Sequence, residues 1–318
     1  MKLTKTLLLL VAILGLGIAL PAAAQQAQTV LDIEPGVSML GAGGAGISVV
    51  EGAETLYYNP ASLAALPGIS FSSFYASYLG LANYSALSLT FRNWGLAALL
   101  LDSGGIDGYD AAGNPTETLA YKNTGILFGV GIDPSILPFI PDTAFDYSLG
   151  ARIKYVSAQI AEETGSGFSF DLGFRTTIPD MRLGPISATD MAFGFTAVNL
   201  FGGINYDAVT DDFLMDLKLG ASARLADVFF VALDLHLGGS AQVGFVYSPV
   251  PTLDLRLGLI SRGTVSLTAG VGINVEGFLI DYAFVSHKTG GSHRVSLTLD
   301  FSSLDIAALS RSMRNILP

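Results

Sequence analysis

The sequence predicts an all-β fold, a transmembrane antiparallel β-barrel of about 14 strands with an N-terminal hatch inside the lumen and a short C-terminal helix. Three features of the chain predict it. From Ile69 onward, segments of roughly ten residues alternate apolar and polar side chains with period two. Half of the residues are apolar and only 14% are charged, against about a quarter charged in a soluble protein. Beyond Ala24 no uninterrupted apolar run approaches the roughly 18 residues of a spanning helix. A closed barrel is then the one spanning structure that satisfies every backbone polar group.

The N-terminus reads as an export signal. Lys2 and Lys5 precede the apolar run Leu7 to Leu20 and the small-residue exit Ala22-Ala23-Ala24, the pattern of a secretory signal peptide. The run is too short to cross about 30 Å of hydrocarbon as a helix. Residues 1–24 are therefore expected to be cleaved, leaving a mature chain that begins at Gln25 and sits in the lipid of a bacterial outer membrane. The sequence has no cysteine, so disulfides and thiolate metal sites are excluded. A formal charge of −11 argues against a nucleic-acid partner.

The barrel, expected over residues 69–301, is legible strand by strand. From Phe145 to Tyr155 every odd position is apolar and the even ones are acidic, small or basic. Phe168, Phe170, Leu172 and Phe174 alternate with Ser169, Asp171, Gly173 and Arg175, and Leu253, Leu255, Leu257 and Leu259 alternate with Asp254, Arg256 and Gly258. Val265 to Val275 and Val295 to Phe301 follow the same rule. One face suits lipid and the other a polar interior. A soluble sandwich would also alternate, but two further features favour the barrel. The second face carries charges of both signs, as a pairing network across a lumen requires: Arg92, Arg152, Lys154, Asp171, Arg175, Asp216, Lys218, Asp234, Asp254, Arg256, Asp281 and Arg294. Aromatic residues stand near segment ends at Tyr155, Phe168, Tyr206, Phe229 and Tyr282, where interfacial girdles belong.

The segments centre near residues 74, 88, 98, 127, 150, 172, 194, 218, 233, 244, 256, 270, 281 and 297. An even count returns both chain ends to the periplasm. The longer polar connections, Asp102 to Ala120, Gln159 to Gly167 and Leu200 to Asp212, then fall outside. The short links Arg92 to Gly95, Leu225 to Val228 and Glu276-Gly277 fall on the periplasmic side, together with the longer proline-rich connection Ile132 to Thr143.

Residues 25–68 precede the first strand and do not alternate. They include Gly41-Ala42-Gly43-Gly44-Ala45-Gly46 and, further on, Asn59-Pro60-Ala61. Gly41, Gly43 and Gly46 have nucleotide-loop spacing, but no βαβ unit follows, so a nucleotide site is not expected. The 37 glycines show no collagen-like period and fit turns and tight lumen packing.

On Leu40 to Gly46, Glu51 to Leu63 with its Asn-Pro-Ala, Asp281-Tyr282-Ala283-Phe284 and His293 to Leu297, the chain resembles the FadL-like outer-membrane transport family, closest to its PorV/PorQ-type branch. The resemblance implies that residues 25–68 fold into the barrel as a hatch, with Gly41, Gly43, Gly44, Gly46, Asn59, Pro60 and Ala61 in it. It also implies passage of hydrophobic or amphipathic molecules such as fatty acids, or, in a PorV-like role, a periplasmic or secretion partner or a structural part without transport. Past Phe301, residues 302–318 place Leu304, Ala308, Leu309, Met313 and Ile316 near one helical face, which predicts a short periplasmic amphipathic helix.

The histidines do not suggest an enzyme. His236 alternates inward beside Asp234, and His287 and His293 flank the last outer turn. Two ligands across a hairpin do not complete a tetrahedral metal site, and no nucleophile with its base and orienting group stands out. No catalytic residue, metal or cofactor is expected.

Overall fold

Alternation becomes a wall because each strand pairs on both sides. The structure, a computed structural model, describes residues 29–302 apart from 111, 120, 137–145, 208 and 289. The expected signal peptide, most of the Ile132 to Thr143 connection and all but the first residue of the expected C-terminal helix lie outside the described residues.

The wall has 14 antiparallel strands. In chain order they are β1 (Ser70–Tyr78), β2 (Ala82–Phe91), β3 (Trp94–Asp102), β4 (Tyr121–Ile132), β5 (Tyr147–Ile160), β6 (Glu163–Ile178) and β7 (Ile186–Val198). They continue as β8 (Asp216–Leu225), β9 (Phe229–His236), β10 (Ser240–Val250), β11 (Leu253–Ser261), β12 (Val265–Val275), β13 (Phe278–His287) and β14 (Gly290–Asp300). Each pairs with its neighbours in sequence, and β1 pairs with β14 from Ser70↔Asp300 to Ser77↔His293. That last ladder removes the open edge that hydrocarbon does not tolerate.

The two faces divide as the alternation requires. On β5 Arg152, Lys154 and Val156 are buried while Ala151, Ile153 and Tyr155 between them are only half-buried; on β11 Arg256 and Gly258 are buried while Leu255, Leu257 and Leu259 are exposed. A belt of exposed leucines, valines and phenylalanines around a polar interior is the inverse of a soluble protein, and lipid is the solvent that accommodates it. Stacked rings add to this outer surface, among them Phe91 on Trp94, 4.2 Å between centroids, and Phe229 on Tyr247, 5.0 Å apart.

Three expectations are corrected. Gln159 to Gly167 is not a loop: β5 and β6 run on to a tight turn at Ala161-Glu162, still paired at Ser157↔Ser166 and Gln159↔Thr164. The upper half of β6 thereby outruns β7, and the hairpin Gly202–Tyr206 with Val209–Asp212 folds over to pair with it. Tyr206 therefore belongs to that hairpin, against Gly165, and not to a barrel strand. Arg92 leaves the inward face, because β2 and β3 stay in register down to Phe91↔Trp94 and close with only Arg92-Asn93 between them. Asn93 takes φ 80° in that turn and Arg92 is exposed.

Residues 29–68 form short helical turns and no strand. Thr29 caps Val30–Asp32, accepting the Leu31 N–H at Oγ1 (3.1 Å) while its own N–H donates to Asp32 (3.0 Å). Asn59 and Pro60 start the turn Pro60–Ala65: proline supplies the preset φ, and Asn59 Oδ1 accepts the Ala61 N–H at 3.0 Å.

Candidate functional site in the barrel lumen

The polar face of the wall is where the N-terminal segment meets the strands, and glycine makes the meeting possible. Gly258 and Gly244 abut the backbone of Ala42 and Gly43, Gly270 abuts Gly41, Gly194 and Gly220 abut Ile47, and Gly150 abuts Pro60 and Ala61. Side chains at these positions would occupy volume that the segment takes, its backbone in each case but Gly220, where the Ile47 side chain and Asp234 stand in the way. Thr268 fastens the Gly41 to Gly43 turn, accepting the Gly43 N–H at 2.9 Å and donating to the Gly41 carbonyl at 3.0 Å. Gly43 itself sits at φ +76°, in the left-handed region. Gly44 faces Gln242 and Glu34, and Gly46 lies on the Tyr58 ring. A Gly258→Ala chain should lose about 1–3 kcal/mol of folding free energy, since a Cβ there overlaps the Gly43 nitrogen. Urea titration of the reconstituted protein checks this, and Gly80→Ala, at an open turn with φ +70° and no neighbour, separates crowding from backbone strain.

Polar side chains complete the seat. Asn59, fully buried, donates from Nδ2 to the carbonyls of Ile47 (2.8 Å) and Phe174 (3.0 Å), which joins two parts of the segment to β6. Ile47 N–H in turn donates to Asp234 at 3.0 Å. Arg175 reaches the Ser48 carbonyl at 2.9 Å, and Tyr84 the Ile33 carbonyl at 2.9 Å. Glu54 accepts from the N–H groups of Val37, Ser38 and Met39 at the start of the turn Ser38–Gly41. Burial and the nearby Asp281 carboxylate push its pKa up to about 7 against the pull of those donors.

The inward charges form local clusters. Asp171, fully buried, receives Arg152 (2.6 Å) and Lys154 (2.7 Å) from β5, and Arg152 also donates to the Leu56 carbonyl. Asn199 adds its N–H to Asp171 (2.8 Å) and its Oδ1 to Lys154 (2.7 Å). Arg256 lies between Asp281 (2.5 Å) and the half-buried Asp254 (3.0 Å). His236 Nδ1 lies 3.1 Å from Asp216. Arg294 donates to the Glu34 carbonyl, and Lys218 lines a cavity beside Glu34. His293 stands on the outer face, bonded to the Tyr282 hydroxyl at 2.8 Å, and His287 ends β13.

Cavities lie on both sides of the segment. One of about 120 Å³ is lined by Leu31, Glu34, Tyr57, Leu99, Leu127, Lys218 and Arg262 among others. Two of about 300 and 630 Å³ meet around Ser38, Glu51, Asp254 and Arg256. Among the described residues, none lines both the small cavity and either larger one. Glu34, Glu54, Asn199, Gln242 and Arg262 belong to this lumen and were not singled out by the sequence reading. Glu34 and Glu54 stand in a stretch without periodicity, and Arg262 stands in a turn.

Wall and interior together define a membrane-spanning β-barrel whose lumen holds paired charges beside an apolar cluster around Leu56, Leu63, Leu99 and Leu127. No protein-family model matches the chain, and no curated protein matches it. Among solved structures it is similar to the CymD monoaromatic hydrocarbon channel, at 15% identity over 83% of this chain and 96% of that one, with a TM-score of 0.48. A TodX monoaromatic hydrocarbon channel with a deletion is 12% identical over 79% and 95%, again at 0.48. The KdgM porin is 9% identical over 73% and 99%, at 0.36.

Proposed function

We propose that the chain is an outer-membrane barrel that passes hydrophobic or amphipathic small molecules of the fatty-acid kind, with residues 25–68 acting as a hatch in the lumen. The supporting observation is the pair of cavity systems that the N-terminal segment keeps apart. A cargo path through the barrel has to join them, so the segment has to move, and a segment built of short turns on a glycine seat moves without breaking a wall ladder. The small cavity sets Leu31, Leu99 and Leu127 beside Lys218 and Arg262, a lining that suits an apolar body with a polar end.

Uptake into proteoliposomes tests this reading. The intact protein should carry a labelled medium-chain fatty acid faster than protein-free vesicles do and should exclude a sugar of similar size. Equal rates with and without protein, in a barrel shown to be folded by heat-modifiable gel mobility, would instead favour a PorV-like secretion partner or a structural protein.

A further inference from the structure

Two carboxylates of the N-terminal segment, the buried Glu54 and the half-buried Glu34, are held differently. Glu54 is bonded by backbone groups of its own segment. The Glu34 carboxylate is bonded by the barrel. Arg262, in the turn between β11 and β12, lies 2.5 Å from its Oε1, and Gln242 on β10 donates to both oxygens at 3.0 and 3.2 Å. Gln242 is 1% exposed and its carbonyl oxygen lies 3.3 Å from His236, which is itself set by Asp216, so the amide is aimed before any ligand arrives. Arg262 is 42% exposed at its side chain and opens the pair to the solvent beyond the strand ends. Lys218 lines the same cavity. The acids nearby are engaged, Asp32 by the Thr29 cap and Asp216 by His236. Burial raises the Glu34 pKa, but the Arg262 and Lys218 cations outweigh it and hold the carboxyl below the usual carboxylate range. Glu34 is therefore an anion at neutral pH.

We propose that Arg262, Gln242 and Lys218 form an anion site which Glu34 fills as a built-in competitor, so that the headgroup of an entering amphipathic monoanion displaces Glu34 and frees the segment at that end. This rests on the hatch reading above. A guanidinium and a fixed amide suit one carboxylate at a time, and the segment's carboxylate and a cargo's carboxylate cannot both occupy them. Gly44, which carries no Cβ, leaves room beside the Glu34 Oε2, so the carboxylate can be exchanged there.

The test uses the full mature chain in planar bilayers, with benzoate or its neutral analogue benzamide added on the side of the β11–β12 turn. Benzoate should raise the open probability about tenfold, the scale of one charge-assisted hydrogen bond, and benzamide should not. Glu34→Gln without benzoate should open about as often as the parent does with it and should not respond further, while Glu34→Asp keeps the response. Arg262→Gln should also lose the response. Equal action of benzoate and benzamide overturns the proposal, as does a folded Glu34→Gln chain as closed as its parent; if that variant fails to fold, the benzoate comparison on the parent decides. A chain lacking residues 30–66 separates the two readings. Should it conduct while benzoate does nothing, the anion site falls and the hatch stands; should it stay closed, both fall.

Discussion

Replacing Asp171 by alanine should cost about 3–5 kcal/mol of folding free energy, the largest loss expected from a single side chain. The carboxylate has no exposure and receives two cations that are themselves buried, Arg152 and Lys154. Removing it leaves two positive charges side by side on the polar face of β5, with the Asn199 amide oxygen and the Leu56 carbonyl to receive them among the described residues. An uncompensated buried charge costs more than the pair contributes, which is why truncating one partner exceeds the worth of the bridge. Triple replacement with Arg152→Met, Lys154→Met and Asp171→Leu should recover much of the loss, because it removes the charges together. Urea titration of the protein in lipid vesicles, read by gel mobility, measures both. A loss below about 1 kcal/mol for Asp171→Ala would mean that the cations are solvated, as at a surface pair.

Leu257→Arg should destabilise by roughly 2–4 kcal/mol, the cost of a cation at the middle of the hydrocarbon. Leu257 is 64% exposed at the centre of β11 and faces away from the lumen. Ser266→Arg provides the contrast. Ser266 pairs with Ile260, whose side chain is buried on the inward face, so its own side chain points to the polar side of the wall. The second change should escape the lipid penalty. Equal losses at 257 and 266 in the same titration would reverse the assignment of faces.

The wall was readable because a barrel strand must alternate: lipid and lumen impose opposite chemistry on successive side chains, and the 14 centres follow from that period. The glycine content announced tight packing, and the contacts of Gly150, Gly194, Gly220 and Gly258 with the segment give it a reason. Three details escaped because pairing, not composition, decides them. Arg92 keeps the alternating parity but falls in the turn that closes β2 on β3. The Gln159 to Gly167 stretch is polar enough for a loop, yet stays paired because the hairpin at 202–212 covers the extended edge of β6. Tyr206 reads as a girdle residue by type and belongs to that hairpin.

The lumen was half legible. Inward charges were marked by parity, but which of them meet depends on strand order and shear: Arg152 faces Asp171 on the next strand, whereas Arg256 reaches Asp281 across β12. The groups that hold the segment were harder still. Glu34 and Arg262 lie 228 residues apart, one in a non-periodic stretch and the other in a turn, and no local pattern links them.

Single-channel conductance of the mature chain without residues 30–66, beside the intact chain, tests the central claim most directly. A barrel of this strand number has room for a water-filled channel when its lumen is empty. The intact protein should conduct little and the shortened one should show a large, stable conductance. Low conductance in both, with the shortened barrel shown to be folded by heat-modifiable mobility, would contradict the claim that the N-terminal segment closes the lumen.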